Sequence, residues 1–172
     1  MHHFIRYSTC FLLLLITGFL NTVGAQTPTD TVPGDPGILA VYTMQPISFG
    51  AFSQGITGGS VSISAAGVRS VNGTVQDYDF GIPYFQAVFE VSAPTGAVIS
   101  ILNGPDAVLT GSNGGSMNFH IGSTSPTAPF LNTTPSPART SIGVGGTLTV
   151  GNASANPPGT YSGTFYLTFN LE

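Results

Sequence analysis

Very few side chains in this chain could do chemistry. His120 is the only histidine beyond residue 3. It falls in the run Ser116-Met117-Asn118-Phe119-His120, where alternation puts it with Ser116 and Asn118 on the polar face of a strand. Nucleophilic catalysis needs a hydroxyl or thiol beside a histidine that an acid orients. A solvated histidine on a sheet face answers that description poorly, and the Gly-x-Ser-x-Gly elbow does not occur. The single cysteine, Cys10, sits in an apolar amino-terminal run. Asp77 and Asp79, two residues apart, resemble half of a calcium site or a glycosidase pair. Calcium takes six or more oxygens from a loop, and glycosidic acids flank a cleft. The flanking Tyr78, Phe80, Gly81 and Pro83 suit neither, and they predict the charged end of a hairpin. No catalytic residue, metal site or cofactor is expected.

The same stretch holds the best candidate ligand surface. Tyr78, Phe80, Tyr84 and Phe85 gather around Asp77, Asp79 and Gln86. Exposed rings beside polar acceptors stack on sugars, so Asp77, Tyr78, Asp79 and Tyr84 are the residues to watch. The competing expectation is that rings from this group fill the core, since the chain has no tryptophan and its interior needs Phe and Tyr. Three Asn-x-Ser/Thr sequons begin at Asn72, Asn132 and Asn152 and matter only in a eukaryotic secretory pathway. Asp30-Thr31-Val32 fits a short pattern on which some bacteria attach O-glycans.

The elements that must position these residues are read from the amino terminus. Arg6 precedes an apolar run from Phe11 to about Leu20, and Val23-Gly24-Ala25 gives small residues before Gln26. This is the pattern of a signal peptide over residues 1–25, cleaved between Ala25 and Gln26. The run is about half the roughly 20 apolar residues of a membrane span, so no transmembrane anchor is expected. Residues 26–37, with Pro28, Pro33 and Pro36, predict an extended linker. From residue 38 onward short period-2 runs alternate with Gly, Pro, Asn and Ser clusters, and no helical periodicity emerges. That pattern predicts an all-β domain over residues 38–172. Strands are expected at 60–64, 86–92, 98–102, 116–121 and 147–150, with the clearest at the end, where Tyr161, Phe165, Leu167, Phe169 and Leu171 share a face. Gly58-Gly59, Gly114-Gly115 and Gly145-Gly146 each precede a polar-apolar-polar-apolar run, which predicts a turn or bulge before a strand. Asn72-Gly73 predicts a two-residue hairpin turn. The proline-rich residues 123–139 read as a surface loop or irregular edge crossing.

Composition narrows the function classes. Only 6% of the 172 residues are charged, and lysine is absent. Loss of Arg6 with the leader leaves Arg69 and Arg139 against seven carboxylates. Nucleic-acid binding depends on Lys and Arg displacing counterions, so it is excluded as an expectation. The processed chain carries no thiol. Export without disulfides suits a secreted or envelope protein of a Gram-negative bacterium.

Three stretches carry a resemblance: Ile47-Ser48-Phe49-Gly50-Ala51-Phe52, then Gly58-Gly59-Ser60-Val61-Ser62-Ile63 with Gly67-Val68-Arg69-Ser70, and finally residues 144–151 (VGGTLTVG) with 159–165 (GTYSGTF). Together they resemble the bacterial secreted domain-of-unknown-function family 4402, from about residue 38 to the end. The resemblance implies a single immunoglobulin-like β-sandwich, mostly antiparallel, akin to spore-coat U and pilus-type subunits. It brings no catalytic residues, and it suggests a structural role for Arg69. The expected function is that of a non-enzymatic structural or surface-assembly protein, self-associating or pairing with a related subunit by strand exchange. The alternative is a glycan- or protein-binding module. Residues 38–44, apolar on both faces, are the candidate assembly strand, with Ile38, Ala40, Tyr42 and Met44 on one face.

Overall fold

The computed structural model describes residues 3–12 and 38–172, and all regular structure among them is strand. The expected cleavage site at Ala25, the linker 26–37 and Asp30-Thr31-Val32 lie outside the described residues. The chain opens with β1 (His3–Leu12), β2 (Ala40–Gln45) and the short β3 (Ser48–Phe49) and β4 (Ala51–Ser53). A hairpin of β5 (Gly59–Ile63) and β6 (Arg69–Gly73) follows, then β7 (Gln76–Tyr78), β8 (Tyr84–Phe85) and β9 (Ala87–Ser92). The second half holds β10 (Val98–Asn103), β11 (Ala107–Gly111), β12 (Ser116–Ser125), β13 (Phe130–Leu131), β14 (Thr140–Val150) and β15 (Tyr161–Leu171). Every ladder between them is antiparallel.

Two long strands organise the β-sandwich. β14 pairs with β12 along one side, while its other side is shared by β9 (Ile142↔Phe89) and β5 (Leu148↔Val61). β15 is built likewise: β10 and β11 take one side in succession. β1 takes the other, because residues 167–169 and 161–162 of β15 pair with β1 as well as with β10 or β11. β1 also runs close to β2 and β3.

Alternation explains the core. Val61 and Ile63, Ala87, Phe89 and Val91, Met117, Phe119 and Ile121, and Tyr161, Phe165, Leu167 and Phe169 are all buried. Aromatic edges lock the layers: Phe119 lies 5.8 Å from Phe49 and 5.2 Å from Phe165, and Phe89 lies 5.7 Å from Phe169. These are the tilted and T-shaped contacts that ring quadrupoles favour. Arg139, just before β14, stacks 3.7 Å over the Tyr42 ring and reaches Glu90, and Tyr42 and Glu90 are cross-strand partners.

Several expectations are corrected. Gly145-Gly146 is no turn but lies inside β14, where a Cβ on Gly146 would strike the Phe119 ring and one on Gly145 would strike the Ile63 carbonyl. Close approach of strands, not positive φ, demands glycine there. Asn72-Gly73 closes no hairpin. Gly73, at φ 77°, ends β6, and the β5–β6 turn is instead at residues 64–68. Leu171 is substantially exposed at the end of β15. The stretch 123–139 is partly ordered into the sheet: β12 runs to Ser125, and β13 pairs with β10. Although residues 38–44 are apolar on both faces, Ile38, just before β2, and Met44, within it, are half-exposed, and β2 is an edge strand held by β9 of the same chain.

Candidate functional site

A mismatch in chain length builds the site. β3 pairs with β8 (Ser48↔Phe85, Phe49↔Tyr84), and β4 pairs with β7 (Ala51↔Tyr78, Phe52↔Asp77, Ser53↔Gln76). One residue, Gly50, separates β3 from β4, whereas residues 79–83 separate β7 from β8. Five residues facing one form an enlarged bulge, a device that re-aims side chains at sheet edges. Ser48 Oγ ties its end by donating to the Pro83 carbonyl at 2.8 Å, and Asp79 Oδ1 turns its start by accepting the Gly81 N–H.

Arg69 forms the floor. Its Nη1 donates to the carbonyls of Phe49 and Ala51 at 3.0 and 3.2 Å, on either side of Gly50. Its Nη2 meets Asp77 Oδ2 at 3.1 Å, and the guanidinium lies 4.5 Å over the Tyr84 ring. The Arg69 side chain is 6% exposed and Asp77 is 60% exposed, so the pair joins a buried cation to a solvated carboxylate. Gly50 is required here. Its φ is +70°, and a Cβ would come within 2.8 Å of Arg69 Nη1. Arg69 thus has the structural role that the resemblance suggested, and it is also part of the site.

Above this floor opens a cleft of about 500 Å³, lined by Arg69, Asp77, Tyr78, Asp79 and Tyr84 together with residues 81–83. The structure therefore brings Asp77, Tyr78, Asp79 and Tyr84 together. Of the rings expected to fill the core, Tyr84 is 47% and Phe80 66% exposed, while Phe85 is partly buried. Tyr78 and Phe80 stack at 5.3 Å, and the Tyr78 hydroxyl donates to Gln76 Oε1. Sequence reading missed the cleft role of Arg69. The available signal was electrostatic: a lone cation beside a strand, in a chain without lysine, needs a carboxylate partner.

Other candidates lie elsewhere. His120 Nδ1 and Asp106 Oδ1 are 2.7 Å apart, with side chains 70% and 60% exposed on an open sheet face. Thr147 faces His120 across the ladder, but its hydroxyl is bonded to Ser62 Oγ. Among the described residues, no group of three or more His, Cys, Asp or Glu is arranged to hold a metal ion, and no helix is long and apolar enough to cross a membrane. The sequon residue Asn132 is buried: it donates to the Ala93, Pro94 and Thr134 carbonyls and accepts from Thr140 Oγ1. Asn72 and Asn152 are exposed. Of the candidate assembly residues, Ala40 and Tyr42 lie in β2 paired to β9, and Tyr42 lies beneath Arg139.

No curated protein and no solved structure matches the chain. A family model does match, over residues 39–170, and its span runs from just before β2 to the last residue but one of β15. With most of its length inside that match, the chain belongs to the family described as "Domain of unknown function (DUF4402)".

Proposed function

We propose that this chain is an exported, non-enzymatic structural protein of a Gram-negative envelope or surface, processed after Ala25, which associates with further copies of itself by strand pairing along β15. The observation that carries this reading is the outer edge of β15, on which the described partner is β1. β1 belongs to the segment expected to be removed. Without it, an 11-residue strand offers main-chain donors and acceptors along one side. Unpaired edges recruit strands, and main-chain hydrogen bonds then supply affinity. A chain with 6% charged residues also presents little like-charge repulsion between copies. The non-enzymatic part of the reading is supported by the exposure of His120 and Asp106. Catalytic electrostatics gain their strength in water-excluded sites, and this pair stands in water.

Light scattering on the chain beginning at Gln26 tests the proposal. The expected outcome is concentration-dependent oligomers that dissociate when a synthetic peptide of residues 3–12, with Cys10→Ser, is added in excess. A strict monomer at high concentration, or oligomers indifferent to the peptide, overturns it.

A further inference from the structure

The cleft over Arg69 involves no residue of β15, and its chemistry is separate from assembly. From its geometry we infer that it binds a neutral saccharide. Its volume of about 500 Å³ falls inside the roughly 300–1,000 Å³ of small-molecule pockets. Its walls combine what a sugar ring presents. The apolar C–H face of a hexose packs on an aromatic plane, and Tyr78, backed by the stacked Phe80, offers such a plane in the lining that it shares with Tyr84. The hydroxyls of a hexose donate to carboxylates in charge-assisted bonds, and Asp77 and Asp79 each keep one oxygen besides the one that meets Arg69 or the Gly81 N–H.

The charge balance chooses the class. Arg69 is spent: three of its contacts go to Phe49, Ala51 and Asp77, and its face lies on Tyr84. It is therefore no anion receptor, and two carboxylates at the rim repel acidic sugars or phosphates. A lysine or arginine side chain would in turn find Asp77 already paired with Arg69 at 3.1 Å, with Asp79 the one carboxylate of the lining that no cation meets. A ligand rich in hydroxyls and without net charge satisfies both conditions. The scaffold is preorganised as well, since Gly50, Arg69 and the Ser48–Pro83 bond hold the bulge before any ligand arrives. Binding then costs little ordering entropy.

The test is an amide NMR titration of the purified protein with maltotriose, cellotriose and mannotriose, alongside trigalacturonate and trilysine as charged probes. The expected result is millimolar or tighter binding of at least one neutral trisaccharide, with shifts concentrated at residues 77–84. Tyr78→Ala and Asp79→Asn should each weaken it by about ten-fold or more. Tyr166→Ala, at an exposed ring on β15, should leave it unchanged. Because the variants are compared by their spectra as well as by affinity, a misfolded variant is recognised at once, and the conservative Tyr78→Phe should retain binding. Three results overturn the inference: no shift with any of the neutral trisaccharides, tighter binding of trigalacturonate than of these, or binding of trilysine alone. The last would reassign the cleft to cationic peptide segments.

Discussion

Single residues carry unusual weight in a protein with so few charges. Tyr161 is the clearest case. It is buried at the start of β15, and its hydroxyl donates to the Pro157 carbonyl at 2.7 Å. Burial raises its pKa above the usual value, and a side-chain hydrogen bond with Asn156 opposes that rise in part. For an acid whose pKa is higher in the folded state, the unfolded chain ionises first. Stability is therefore complete below about pH 10, the ordinary tyrosine value, and falls as pH rises through it towards the raised one. Denaturant melts between pH 8 and 11 should show that decline, and Tyr161→Phe should flatten it at the cost of the hydroxyl's hydrogen bonds. Asn132 and Asn156 are comparable anchors. Each is a buried amide that meets several backbone groups, and Asn156 joins residue 151 to Ser116. None of these roles is legible locally, because an asparagine in a Ser/Thr/Asn-rich stretch looks the same whether it faces water or holds a loop.

At the scale of elements, register decides outcomes. Phe165 is buried against Phe119, whereas the adjacent Thr164 is exposed on the opposite face of the strand. Phe165→Ala should cost about 3–5 kcal/mol through lost transfer energy and a residual cavity, with Thr164→Ala far milder. Thermal or urea melts of the two variants provide the comparison. Strands such as β5, β9, β12 and β15 were legible because one face is buried and period-2 patterning must then appear. Glycine pairs were less so. Two φ values at Gly114 and Gly115 are positive, as a turn requires, while Gly145 and Gly146 serve strand contact inside β14. Sequence alone does not distinguish those demands. The cleft was half-legible for the same reason: Asp77, Tyr78, Asp79 and Tyr84 are close along the chain, but Gly50 joins them only through the unequal arms of the β3–β4 and β7–β8 pairings, and Arg69 reaches them from β6.

For the whole molecule, the decisive event under the proposed reading is processing. Intact mass of protein recovered from the envelope or medium should correspond to a chain beginning at Gln26, and a species retaining Met1 would contradict both export and the opening of β15. The setting of the two remaining cations has a further effect on durability. Trypsin-type proteases cut after lysine or arginine, and beyond residue 25 the chain offers only Arg69 and Arg139. The first is buried under the cleft, and the second lies over Tyr42 and against Glu90. Cleavage at Arg69 would have to wait for the fold to open, so a digestive environment would sample the open population rather than the native surface.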